Sequence, residues 1–252
     1  MGTAAVLEFA RQCPRLVSFQ YVSTAYVAGR QKGVIREKGG NGAVQHNNTY
    51  ERSKFEAEAL VQEAMADIPA SVLRPSIVTC GLENGYAPRT SAFFRLLQGI
   101  TAGALEVLPG RPETQLDLVP VDYVVEAVYA MGRRPGLAGR FFHLSAGPEN
   151  RISLGEVSRL VSECYGRKPV AILPPREFAA WTRGARRAAP QLGTFLDEIE
   201  TYAPYLFDHP CFDDSNTQGA LGHTKLPTRW FPDYCEQVVS FIRENYQADR
   251  QE

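Results

Sequence analysis

The chain has 252 residues, 44% of them hydrophobic, and a formal net charge of −1. That is enough apolar material for one large domain, or for a domain with a smaller lobe. The balanced charge gives no electrostatic basis for binding nucleic acid or an acidic membrane surface, and no apolar run reaches the ~18 residues needed to span a bilayer.

Residues 3–12 are predicted to be helical, and Pro14 ends the helix. Glu8 and Arg11 within that segment distinguish it from a signal peptide. Leu16 to Thr24 (LVSFQYVST) is rich in β-branched and aromatic residues and is predicted to be a buried strand. Residues 30–48, with Gly39, Gly40 and Gly42, are predicted to be a flexible loop, and a helix starts at Thr49. Ala70 to Cys80 (ASVLRPSIVTC) is a second buried strand, so the first third implies parallel strands with a helical crossover and an α/β fold.

Farther on, Ser91–Thr101 is a predicted helix and Leu105–Leu108 a short strand. Leu116–Val121 is extended, and Asp122 is placed as the N-cap of the next helix. Arg140–Ser145 is a strand, Ser153 and Glu156 form a capping box, and Val170–Leu173 is a short strand. Residues 176–206 are mostly helical with a break near Pro190, and the last helix runs over 232–246. The five cysteines (Cys13, Cys80, Cys164, Cys211, Cys235) are odd in number, far apart and without a C-x-x-C pair. They support neither a disulfide framework nor a zinc site, so a reducing cytoplasm is expected.

Three features converge on chemistry. Tyr50 and Lys54 stand i, i+4 on one helical face. Ser23 and Thr24 lie at the C-terminal end of a parallel strand, where open α/β sheets bind ligands, and Pro75, Ser76 and Ile77 lie near the end of the next. A free tyrosine titrates near 10, too high to shuttle protons easily, and a nearby ammonium lowers that value. A drop of roughly three units needs about 4 kcal/mol of differential interaction. The Thr24 hydroxyl would then hydrogen-bond and orient a substrate carbonyl.

The series VSTAYVAG, TYERSKFEAE and SVLRPSIVTCG resembles the second half of an extended short-chain dehydrogenase/reductase. QLDLVPVDYVVEAVYA, FFHLSAG and CFDDSNTQGALG narrow the resemblance to fatty acyl reductases and thioester reductase domains, the male sterility group. The resemblance implies that Thr24 takes the hydroxyl position, Tyr50 the general acid and Lys54 the ribose-binding lysine, with Ser23, Pro75, Ser76 and Ile77 also bordering the cofactor. It implies NADP(H) as cofactor, and reduction of an acyl thioester to an aldehyde or alcohol. It implies as partners an acyl-CoA or acyl carrier protein, and a second copy or another polypeptide completing the sheet edge.

No G-x-G-x-x-G occurs in the chain. The expected fold is a partial Rossmann-like parallel sheet lacking its N-terminal strands, with a small C-terminal substrate-binding lobe. Residues 1–82 and 115–147 are assigned to the sheet, and 83–114 and 148–252 to the lobe. Such a chain is expected to be inactive by itself. Two other readings stand beside the acyl reductase: an extended reductase or epimerase acting on a nucleotide sugar or sterol-like alcohol, and a non-catalytic fragment or interaction module. Arg183, Arg186 and Arg187 near Trp181 are read as a solvated helix face before a carrier-protein patch. His143 is read as a core residue, and Phe93 and Phe94 as core packing before an acyl tunnel.

Overall fold

A computed structural model describes residues 2–40, 42–87, 92–101, 103, 107–189 and 193–246. The expected helix start at Ser91, the strand start at Leu105 and the break at Pro190 lie outside the described residues. The chain divides into two compact units. The first comprises residues 1–78, 121–149 and 210–229, and the second residues 79–120, 150–209 and 230–252.

In chain order the first unit contains α1 (Gly2–Arg11), β1 (Phe19–Val22), β2 (Val34–Ile35), α2 (Thr49–Ala64), β3 (Ala70–Pro75), α3 (Val121–Gly132), β4 (Phe141–Leu144), β5 (Cys211–Phe212) and α4 (Ser215–Leu221). β1, β3 and β4 form a parallel sheet with β3 in the centre. All six residues of β3 are buried, as a strand covered on both faces must be. Leu7 and Ala10 of α1 and Val61 and Ala64 of α2 pack with Ala70, Val72 and Phe141 of the sheet. Burying each large side chain of this kind is worth about 1.5–3 kcal/mol.

α2 starts where it does because of two reciprocal contacts. Asn48 accepts from the Glu51 amide at 3.0 Å, and the Glu51 carboxylate accepts from the Asn47 amide at 2.6 Å. The unpaired Glu51 amide of the helix start, and the Asn47 amide just before the cap, are thereby satisfied.

The expected strand over 16–24 is shorter, because Thr24 leaves the ladder to cap a single 3₁₀ turn at Ala25–Ala28, accepting from the Tyr26 amide at 3.3 Å. Asp122 is not an N-cap. α3 already begins at Val121, so the carboxylate sits in its first turn, where negative charge favours the helix end. Residues 210–229, expected in the lobe, pack within the first unit. β5 pairs in parallel with β2, and α4 packs on β4.

The second unit is mainly helical. Helices Ala92–Thr101, Leu154–Cys164 and Cys235–Tyr246 pack together. Val107–Pro109 pairs in parallel with Ala171–Leu173, and Gln115–Leu116 pairs antiparallel with Ile152–Ser153. Ser153 caps its helix by accepting from the Glu156 amide at 3.1 Å. Phe93 and Phe94 are buried here against Phe231, and against Phe241 and Tyr246. Arg186 is held by Asp197 at 2.7 Å and Glu200 at 3.1 Å, which matches the solvated-face reading of that cluster. None of the five cysteines forms a disulfide. Among the described residues no helix is long and apolar enough to cross a membrane, and no group of three or more His, Cys, Asp or Glu could hold a metal.

Candidate active site

The expected site residues all fall in the first unit, at the C-terminal ends of its parallel strands. β1 ends at Val22, so Ser23 and Thr24 stand at the lip of the sheet, both 5% exposed. Tyr50, in the first turn of α2, is 55% exposed, and the Thr24 hydroxyl acts on its phenol. Lys54, one turn on, donates from Nζ to the Val22 carbonyl at 3.0 Å and lies 5.3 Å from the Tyr21 ring centroid. Thr24, Tyr50 and Lys54 therefore meet around the end of one strand. Pro75 closes β3, the Ser76 amide bonds the Leu144 carbonyl at 3.1 Å, and Ile77 continues in extended conformation.

The electrostatics differ from the expectation at one point. Tyr50 is raised above the ordinary phenol value, first by burial, and the Thr24 hydroxyl only partly offsets this. The ammonium is turned toward the Val22 carbonyl, and burial lowers Lys54 itself. Tyr50 is thus a firmly protonated phenol at neutral pH, suited to giving a proton.

Polar atoms at the strand ends bear on cofactor binding. The hydroxyls of Ser23, Ser76 and Ser145 are buried and have no protein partner. Each follows the end of one of the three parallel strands. Buried hydroxyls are ordinarily satisfied, so this row is chemically matched to a ligand carrying amide and hydroxyl groups. Lys54 adds donors left over from its single carbonyl bond. The residues present thus fit the nicotinamide and ribose end of a dinucleotide. The chain contains no G-x-G-x-x-G to take the pyrophosphate end.

Three groups around this site were not singled out from sequence. Ser145 would have been found by asking which residue follows each predicted strand. Glu58 and Arg74 form a buried ion pair, and Glu37 takes a buried place between β4 and α4. Neither Glu37 nor the ion pair has a local sequence signal.

His143 is a core residue. Its Nδ1 lies 2.7 Å from the Asp213 carbonyl, and the ring packs on Phe212. Burial first, and then the Arg74 guanidinium, lower its pKa to about 4. Between that value and the free value of 6.5 the unfolded chain binds more protons, so stability is fully present above about pH 6.5 and falls toward pH 4. The wild-type chain is expected to lose about 3 kcal/mol across this window through His143. His143→Asn keeps a donor for Asp213 and should lose that slope in denaturant melts from pH 7 to 4.5. An unchanged slope would contradict the assignment.

The three-stranded parallel sheet, with Thr24, Tyr50 and Lys54 at its C-terminal lip, is a Rossmann-like arrangement of the extended short-chain dehydrogenase/reductase class. Residues 1–128 match the family model described as Male sterility protein, and the chain belongs to that family. It is similar to the alcohol-forming fatty acyl-CoA reductase of Simmondsia chinensis, 22% identical, with 86% of this chain and 63% of that protein covered. It is also similar to the fatty acyl-CoA reductase wat of Drosophila melanogaster, 33% identical over 91 residues, which cover 33% of this chain and 17% of that protein. Among solved structures, the terminal R domain from the myxalamid PKS-NRPS biosynthetic pathway superposes with a TM-score of 0.78. It is 26% identical, with 96% of this chain and 61% of that one covered. The chain thus spans less than two thirds of the length of each of these relatives.

Proposed function

We propose that this chain carries the proton-transfer and substrate half of an NADP(H)-dependent reductase that converts an acyl thioester to an aldehyde, and on to the alcohol. The observation that carries the reading is the grouping of Thr24, Tyr50 and Lys54 at the end of one parallel strand, with Lys54 bonded to the Val22 carbonyl. The family membership and the fatty acyl-CoA reductases among the relatives support the choice of an acyl substrate.

When bound, the nicotinamide supplies a hydride to the carbonyl carbon. Ser23 and Ser76 are the hydroxyls that would hold the nicotinamide end, and Lys54 would hold the ribose. Thr24 orients the carbonyl oxygen by hydrogen bonding. Tyr50 gives that oxygen a proton from its hydroxyl, which its raised pKa keeps in place at neutral pH, and the hemithioacetal so formed releases its thiol to leave the aldehyde. Lys54, once drawn toward a ligand, would lie near enough to stabilise the phenolate left behind.

A test follows from joining this chain to a preceding glycine-rich nucleotide-binding segment. The joined polypeptide is offered NADPH with long-chain acyl-CoA, acyl carrier protein or UDP-sugars. Aldehyde or alcohol from the thioesters is the expected result. Turnover of UDP-sugars with inert thioesters would overturn the reading.

The 252-residue chain alone, whose sequence holds no G-x-G-x-x-G, is expected to show no saturable NADPH binding in a fluorescence titration. Tight, saturable binding would contradict this.

A further inference from the structure

Tyr50, Lys54 and Glu58 follow one another at i, i+4 and i+8 along α2, so they form a single stripe. The first two stand at the proposed site, and the third is anchored beneath it. Glu58 and Arg74 are each 3% exposed. Arg74 Nε donates to Glu58 Oε2 at 3.1 Å, and Nη2 donates to Oε1. The remaining arm, Nη1, donates to the Lys38 carbonyl at 3.0 Å, and the guanidinium lies 4.9 Å from the Phe141 ring centroid.

This planar fork is therefore held at three points and on one face. It touches α2, the segment that leads into α2, and β4, while its own backbone belongs to β3 directly before Pro75 and Ser76. A bidentate guanidinium–carboxylate pair tolerates little rotation of either partner. An apolar pair of similar volume would fill the same space with equal or greater stability, so stability alone does not account for burying two charges. What the pair adds is a fixed angular setting of α2 relative to the sheet.

We propose that Arg74 is a positioning residue: through Glu58 it sets the rotation of α2 about its axis, and so aims Tyr50 and Lys54 at the end of β1. This rests on the reading of Tyr50 as the proton donor, but it can be tested without turnover.

The test uses the full 252-residue chain, labelled with ¹³C at the tyrosine Cζ. The Tyr50 signal is identified by its loss in Tyr50→Phe, and its titration is followed by NMR. Glu58→Asp shortens the carboxylate arm by one methylene and Arg74→Lys removes the fork, while both keep the charge. Val61→Ala is the comparison, a buried cavity on the same helix. The two pair variants are expected to move the Tyr50 titration downward, toward the free value of 10.0. Val61→Ala is expected to lower the melting temperature comparably while leaving the Tyr50 titration in place.

If Tyr50 titrates unchanged in whichever pair variant folds, the proposal is overturned. An equal shift in Val61→Ala would reduce the pair to general stability and overturn it as well. Failure of the reductase reading would show in the substrate assays and would leave this titration result untouched.

Discussion

Glu37→Ala is expected to cost about 3–5 kcal/mol of unfolding free energy in urea denaturation. Glu37 is 8% exposed, and its carboxylate is a hub for donors from two distant parts of the first unit. Oε1 accepts from the His143 amide at 2.7 Å, from the Thr217 amide at 3.2 Å and from the Thr217 hydroxyl at 2.7 Å. Oε2 accepts from the Asn216 amide.

Burial dominates the titration of this group and pushes it above the usual carboxylate range, although every one of those donors pulls the other way. Truncation would leave three backbone amides and a hydroxyl facing an empty space. Each buried donor left unmatched costs about 1–3 kcal/mol, and water entering the cavity would recover part of the total. Glu37→Gln keeps one acceptor oxygen but turns an amide group toward a donor, so an intermediate loss is expected. A loss below about 1 kcal/mol in Glu37→Ala would mean that residues 210–229 are not clamped to the sheet as described.

Glu37 also shows which parts of the molecule could be read from sequence. Tyr50 and Lys54 were visible because helical spacing is a local property, and the i, i+4 relation survives whatever the helix packs on. β3 and β4 were visible because strands buried on both faces read as nearly continuous apolar runs, whereas β1, expected to be buried, is only half-buried and exposes Val22. Arg74 sits inside such a run. Its partner Glu58 belongs to α2, sixteen positions earlier, and no periodicity links the two. The partners of Glu37 lie 106 and 180 positions away.

The two-residue strands at Val34–Ile35 and Cys211–Phe212 are too short for alternation to register, and only their pairing identifies them. That pairing brings residues 210–229 back to the first unit, against the assignment made from sequence. The expected influence of Lys54 on Tyr50 was tied to a bound nicotinamide. The spacing places both side chains on one face, but the ammonium has a carbonyl acceptor closer to hand.

The largest expected effect on activity belongs to Tyr50. In the proposed role, removing its hydroxyl would leave the carbonyl oxygen with Thr24 as orienting donor and without its proposed proton donor. Positioned general acids contribute about 10²–10⁴ in rate, equivalent to about 3–5.5 kcal/mol of barrier. The ring of Phe keeps the volume and leaves the helix cap at Asn48 and Glu51 untouched. The loss should therefore appear in turnover and not in stability. Tyr50 is more than half exposed, so its hydroxyl contributes little to the core.

The most direct measurement compares parent and Tyr50→Phe, each joined to a nucleotide-binding segment, by NADPH consumption with a long-chain acyl-CoA. The expected result is a fall in kcat/KM of about 10²–10⁴ with an unchanged melting temperature. Activity within about threefold of the parent would mean that the proton comes from elsewhere, and would contradict the assignment of Tyr50.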